Sequence, residues 1–253
     1  MSATAPRATV RPRLPLTVGA CLFDLDGVLT DTASLHAQAW KQTFDAFLRA
    51  RPGPFVPFGV DSEYAQYVDG RQRSDGVRTF LAARGIELPE GTPDDPPDLG
   101  TIHGLGNRKN ALVLQLIAAR GAVPFADAVQ FVRAVRAAGI ATAVVSASAN
   151  CSAVLEAAAL SDLFDARIDA SVAAALGLRS KPQPDMFLAG ARALGSRPAA
   201  TAVVEDAIAG VEAGHAGGFT PVIGVARRLA PELLREHGAD IVVQDLTELL
   251  EAA

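Results

Sequence analysis

From about residue 125 onward, short apolar runs alternate with Ala-rich stretches of helical length: IATAVVS and CSAVLEAAAL, then TAVVE and IAGVEAG, then FTPVIGV and ADIVV. Continuous apolar runs are the signature of strands whose two faces are both covered by helices, as in a parallel sheet. The alternation predicts an α/β fold built on a doubly wound, Rossmann-like parallel sheet, with ligands gathered at the carboxyl ends of the strands. ACLFD, at residues 20–24, has the same character and supplies a further strand from far upstream. The intervening residues 33–122 differ, because ASLHAQAWKQTFDAFLRA, SDGVRTFLAAR and NRKNALVLQLIAAR carry helical periodicity and nothing there reads as a strand. The expected organisation is a flexible tail at 1–19, a core from 20–32 and 123–253, and an inserted all-helical cap subdomain at 33–122. Within the cap, ELPEGTPDDPPDLG combines prolines and acids that end a helix, and predicts an exposed loop.

Composition narrows the function. At 253 residues and 49% hydrophobic content, the chain has enough apolar surface for a real core. A formal charge of −5 argues against broad binding to nucleic acid or to an anionic membrane, so an anionic substrate needs a local basic pocket. Cys21 and Cys151 are the only cysteines, too few for a disulfide framework, and Cys21 inside ACLF reads as a small buried hydrophobe. The Arg7, Arg11 and Arg13 segment is followed by no apolar stretch of signal-peptide length, and no run of about 20 apolar residues is present. The expected location is cytoplasmic.

FDLDGVLTDT, residues 23–32, carries the most chemistry. Side chains two apart on a strand share a face, so Asp24 and Asp26 emerge together, and Gly27 lets the chain turn at once. One carboxylate can attack phosphorus while the other handles a proton; the alternative is an ordinary strand-to-turn junction. Three more polar groups stand at strand ends. Ser146 closes TAVVS, where its hydroxyl either donates to a phosphoryl oxygen or caps the following helix. Lys181 in SKPQPDMF is held on a stiff stretch before Pro182. Glu205 and Asp206 close TAVVE, and two hard carboxylates suit Mg²⁺ if the strand has ended there; otherwise Asp206 is a helix cap.

In their order FDLDGV, VVSAS, SKPQPD and VVEDAIAG, these motifs closely resemble those of the haloacid dehalogenase (HAD) superfamily, and specifically its β-phosphoglucomutase-like branch. The resemblance covers residue 20 to about 225, with the helical insert at the family's cap position. It implies Asp24 as nucleophile and Asp26 as general acid and base, with Ser146 and Lys181 stabilising the phosphoryl group. It also implies Mg²⁺ held by Asp24, the Asp26 backbone carbonyl and Asp206, with Glu205 assisting. Phosphate monoester chemistry needs on the order of 20 kcal/mol removed from its barrier, much of it electrostatic.

The resemblance extends into the cap. FDLDGVLTDTASLHAQAWK places Thr32 at a hinge and His36 and Trp40 near the substrate, and VDGRQRSDGVRTFL places Gly70 with Arg73 as a phosphate clamp. Arg71 and Arg78 add positive field. GLGNRKN points Lys109 toward the site, with Arg108 and Asn110 nearby, and Ser148 and Asn150 match the branch. Ala149 departs from it, standing where the branch carries a lysine, a loss of roughly 1.5 to 3 kcal/mol of phosphate binding. The implied reaction is a shift of a phosphoryl group from position 1 to position 6 of β-glucose through glucose 1,6-bisphosphate. The alternatives are a Mg²⁺-dependent sugar-phosphate phosphatase and a non-catalytic binding protein on the same fold.

Overall fold

Alternate residues of a single strand, Cys21 and Phe23 against Leu22, bury in different apolar layers, so the strand is covered on both faces. The computed structural model describes residues 10–252. Its elements are β1 (Val10–Pro12), β2 (Ala20–Phe23), α1 (Ala33–Arg49), a π-helical stretch (Val60–Val68), α2 (Arg73–Ala83), α3 (Ile102–Arg120) and α4 (Ala126–Ala137). There follow β3 (Ala141–Val145), α5 (Cys151–Ala157), β4 (Ala166–Ile168), α6 (Ala170–Leu176), α7 (Asp185–Ala193), β5 (Thr201–Glu205), α8 (Ile208–Ala216), β6 (Val222–Val225), α9 (Pro231–Glu236), β7 (Ile241–Val243) and β8 (Leu250–Ala252).

Six strands form one parallel sheet in the order β4-β3-β2-β5-β6-β7. The chain leaves β2 toward β4 on one side and returns through β5 toward β7 on the other, so direction reverses between β2 and β5, where such sheets open a crevice. Phe23 lies opposite both Val144 and Val204, which brings the carboxyl ends of β2, β3 and β5 level. Phe131, Val132 and Val135 of α4 and Val154 and Leu155 of α5 cover one face; Met186 and Phe187 of α7 and Val211 of α8 cover the other.

Helices α1 to α3 build a separate apolar cluster. Ala33, Ala37, Trp40 and Phe44 recur at helical spacing on the buried side of α1. Phe44 meets Trp40 with ring centroids 4.9 Å apart and Phe80 of α2 at 4.2 Å. Truncating this fully buried ring to alanine is expected to cost about 3–5 kcal/mol.

Three sequence expectations change. Residues 1–9 of the expected tail lie outside the described residues, but Val10–Pro12 pairs antiparallel with Leu250–Ala252, so the second half of that segment is not a free tail. Helix α3 starts at Ile102, ahead of the periodic NRKN segment, because the Thr101 hydroxyl accepts the Gly104 amide at 2.9 Å and caps it. The π-helical stretch Val60–Val68 has too little apolar periodicity to be visible in the sequence, and only Tyr64 and Val68 are buried in it. Residues 87–100 are largely exposed and contain no regular element, as their prolines require.

Candidate active site

Asp24 leaves the end of β2 almost fully buried, and its amide donates to Val204 O at 3.0 Å, which continues the ladder by one residue. Lys181 meets it from the turn before α7. The ammonium is completely buried and donates to Asp24 Oδ1 at 2.5 Å, Glu205 Oε1 at 2.6 Å and Val145 O at 3.0 Å, with the Phe187 ring 4.8 Å away. Burial disfavours the ammonium, but the two carboxylates outweigh it and the Lys181 pKa is raised, so the lysine is a fixed cation. Burial lifts Asp24 to about 6 and Glu205 to about 7, against the pull of Lys181 on both.

Glu205 is the last residue of β5 and Asp206 lies beyond the strand, so alternation does not force them apart. Both Glu205 oxygens are engaged: Oε1 by Lys181, and Oε2 by the Asp206 amide at 3.0 Å and the Ala207 amide at 3.1 Å. Asp206 is not a helix cap, since Ala207 holds that position before α8. Ligand oxygens of Asp24, Glu205 and Asp206 lie within 4.8 Å of one another. Gly27, at φ +97°, passes so close to the Asp206 carboxylate that a Cβ there would collide with it. A hard, all-carboxylate donor set crowded this tightly and left without side-chain bulk at Gly27 fits a small divalent cation such as Mg²⁺.

Asp26 follows two residues after Asp24, held by a hydrogen bond from the Thr32 hydroxyl, which in turn lies 2.8 Å from Thr30 Oγ1. Burial raises the Asp26 pKa, against the Thr32 hydrogen bond and the charge of Lys109. His36 Nε2 stands 3.6 Å from Asp26 Oδ1 and has no hydrogen-bond partner, while His36 Nδ1 is 2.9 Å from Lys109 Nζ. Burial, then the Lys109 charge, holds the imidazole well below its ordinary pKa, so it is neutral, accepts from Lys109 at Nδ1 and carries its proton on Nε2 toward Asp26. Lys109 is buried, lies 5.0 Å from the Trp40 ring centroid, and has its pKa lowered by burial to about 8.

A cavity of about 320 Å³ connects these groups. Asp24, Asp26, His36, Trp40, Lys109, Ser146 and Asp206 line it together with Gly70, Arg73, Ser148 and Asn150. Lys181 and Glu205 lie behind that wall, and Thr32 acts on it through Asp26. Ser146 accepts the Ser148 amide at 3.1 Å and does not cap a helix; Asn150 holds the N-cap position of α5 but its side chain makes no capping hydrogen bond. Gly70 has φ +74°, and a Cβ on it would approach the Ala207 Cβ to 3.0 Å. Among the described residues Arg73 makes no ion pair, and neither Arg71 Nε nor Gln72 Nε2, both buried at the cavity, has a partner. Arg78, by contrast, faces away and pairs with Asp75 and Glu90. Arg108 donates to Pro97 O at 2.8 Å, and Asn110 accepts from Asn150 Nδ2 at 2.9 Å.

Sequence reasoning missed four participants. Arg228, after β6, pairs with Asp69 of the cap at 2.5 Å and approaches Asp206 at 4.0 Å. Arg227 donates to Gly27 O at 3.1 Å and to Asp127 at 2.7 Å, bracing the Asp24–Gly27 turn from behind. Neither arginine belongs to a motif, and nothing local distinguishes Asp69 from a surface acid. Pro93, from the acidic loop, also reaches the cavity.

A parallel sheet that brings three aspartates to one cavity under a helical cap, with a buried lysine directly behind them, defines an enzyme of the phosphotransferase or phosphatase type. The family of haloacid dehalogenase-like hydrolases matches residues 18–218, and the chain belongs to it. β-Phosphoglucomutases of Mycobacterium bovis and Mycobacterium tuberculosis are each 50% identical over 244 residues, covering 94% of this chain and 93% of theirs. The crystal structure of β-phosphoglucomutase from Clostridium difficile superposes with a TM-score of 0.71 at 25% identity, covering 92% of this chain and 93% of that one.

Proposed function

We propose that this chain interconverts β-glucose 1-phosphate and glucose 6-phosphate by phosphoryl transfer through Asp24. One observation carries the reading: the cavity that holds Asp24 and Asp26 is also lined by Arg73, Ser148 and Asn150, a second set of donors suited to a phosphate that is not being transferred. A hydrolase acting on a monoester needs only the first set. The 50% identity to mycobacterial β-phosphoglucomutases, spread over 94% of the chain, supports the same reading.

In the forward reaction phosphorylated Asp24, primed by glucose 1,6-bisphosphate, gives its phosphoryl group to the 6-hydroxyl oxygen of β-glucose 1-phosphate while Asp26 takes the hydroxyl proton. The bisphosphate so formed reorients, an Asp24 oxygen attacks its 1-phosphate in line, the bond from phosphorus to the C1 oxygen breaks, and Asp26 gives that oxygen its proton, leaving glucose 6-phosphate and phosphorylated Asp24. Burial raises the Asp26 pKa, the direction that a carboxyl acting as proton donor requires. Lys181 holds Asp24 in the attacking position and offsets charge at the phosphoryl oxygens, with Ser146 as a further donor. Asp24, Asp206 and the backbone carbonyl of Asp26 would hold Mg²⁺, which when bound withdraws charge from the phosphoryl oxygens. Glu205, with both oxygens engaged, fixes Lys181 and supports that set from behind. The neutral His36 and the Lys109 cation steady Asp26.

The second reading, a sugar-phosphate phosphatase, is favoured by Ala149, which leaves one cation fewer beside Ser148 and Asn150. Product analysis separates the two. β-Glucose 1-phosphate with Mg²⁺ and a trace of glucose 1,6-bisphosphate is expected to give glucose 6-phosphate, and inorganic phosphate as the main product establishes the phosphatase instead. Asp26→Asn is expected to fold normally and lose 10²-fold to 10⁴-fold in turnover; near-normal turnover removes Asp26 from the proton transfers.

A further inference from the structure

Besides His36 over Asp26, three polar contacts among the described residues join the helical cap to the sheet domain at the rim of the cavity: Arg228 to Asp69 at 2.5 Å, Ser180 to Asp75, and Asn150 to Asn110 at 2.9 Å. The first is the only ion pair of the three, and its surroundings single it out. Asp69 is buried, and the next residue, Gly70, lies against Ala207 and Ala209 of the core. The Arg228 guanidinium sits 5.4 Å from the centroid of the cap's Tyr64 ring and 4.0 Å from Asp206. An arginine from the core is thus clasped by an acid and an aromatic ring of the cap, beside Asp206 of the proposed metal set.

Resting on the mutase reading, we infer that Asp69 and Arg228 are positioning residues, a latch that keeps the cap seated while Asp24 carries the phosphoryl group and so keeps water from it. The competing step is simple to write. A water oxygen bonds to phosphorus, the bond from phosphorus to the Asp24 oxygen breaks, the water proton passes to Asp26, and inorganic phosphate leaves with Asp24 restored as a carboxylate. This step needs bulk water at the site, which a seated cap denies it. An ion pair with one partner on each domain, the Asp69 side chain buried and the Arg228 side chain 31% exposed, ties the two domains together where they meet.

The latch and a simple field effect differ in sign. Asp69→Asn removes a negative charge near the phosphoryl group and Arg228→Gln removes a positive one, so through-space electrostatics shift the reaction oppositely in the two variants. Loss of a latch shifts both the same way. The test measures the ratio of inorganic phosphate to glucose 6-phosphate formed from β-glucose 1-phosphate, together with the lifetime of the ³²P-labelled phosphoryl enzyme in water. Both variants are expected to raise the ratio about tenfold, a factor worth 1.4 kcal/mol, and to shorten the lifetime by the same factor. The double variant is expected to be no worse than either single one. Arg228→Lys is expected to recover part of the effect, and Arg84→Gln, which breaks the Arg84 to Glu63 pair inside the cap, is expected to leave the ratio unchanged.

An unchanged ratio and lifetime in folded Asp69→Asn and Arg228→Gln, or shifts of opposite sign, overturn the latch. If the unsubstituted protein itself releases mainly inorganic phosphate, the mutase reading fails, and the lifetime measurement still decides the latch.

Discussion

Replacing Lys181 with methionine tests the electrostatic centre of the site, because the side chain keeps nearly its volume and loses only its charge. The ammonium is completely buried and has three acceptors: Asp24 Oδ1 at 2.5 Å, Glu205 Oε1 at 2.6 Å and Val145 O at 3.0 Å. Removing one partner of a buried ion pair costs about 3–5 kcal/mol, since the charges left behind are desolvated and unpaired. For a chain of this size each kcal/mol lowers Tm by about 2–4 °C, so a drop of roughly 6–20 °C is expected at neutral pH. The loss depends on pH in a defined direction. Burial already lifts Asp24 to about 6 and Glu205 to about 7, and the variant loses the cation that opposes that rise. Carboxyls whose folded pKa lies above the unfolded value stabilise the fold at low pH and lose that contribution as pH rises through the folded pKa. The variant is therefore expected to lie closest to the parent near pH 5 and to fall behind steadily toward pH 8. Thermal melts by circular dichroism at pH 5, 6.5 and 8 measure this, and turnover of β-glucose 1-phosphate is expected to fall 10²-fold to 10³-fold. Adding Glu205→Gln removes one of the stranded charges, and is expected to restore part of the stability without restoring turnover. A Tm within about 3 °C of the parent at every pH refutes the claim that Lys181 sustains the buried acids.

Lys109, whose pKa is lowered by burial to about 8, has a folded value below its unfolded one, so its charge costs stability below pH 8, and the cost is relieved between about 8 and 10.4. Lys109→Met is thus expected to raise Tm at pH 7, with an advantage that shrinks toward pH 10, while kcat/KM loses the decline that the parent shows above about pH 8. Gly27→Ala places a methyl against the Asp206 carboxylate at a backbone φ of +97°. Its Mg²⁺ dissociation constant, measured by calorimetry, is expected to rise at least tenfold, and an unchanged value rules out a metal site beside Gly27. Asn107 donates to Pro93 O at 3.0 Å and Asp95 O at 2.7 Å, pinning the acidic loop to α3. Asn107→Ala is expected to speed amide hydrogen exchange across residues 92–99 and to raise KM more than it lowers kcat, because Pro93 lines the cavity.

Local order in the chain was enough to specify the parallel core and the residues that terminate its strands. Apolar runs fix the strands, and the residue that ends a run stands at the sheet edge wherever the strand goes, so Asp24, Ser146 and Glu205 with Asp206 were legible as strand-end groups. Lys181 was legible through its motif, but its complete burial between two carboxylates was not, because a lone lysine in sequence reads as a solvated charge. The antiparallel pairing of Val10–Pro12 with Leu250–Ala252 joins segments too short to show a pattern. Arg228 with Asp69 and Ser180 with Asp75 lie far apart in sequence, and each partner alone is an unremarkable polar residue. Period and punctuation act over a few residues and so are written in the sequence. Which charge meets which across the cavity depends on how the cap settles on the sheet, and only the folded chain decides it.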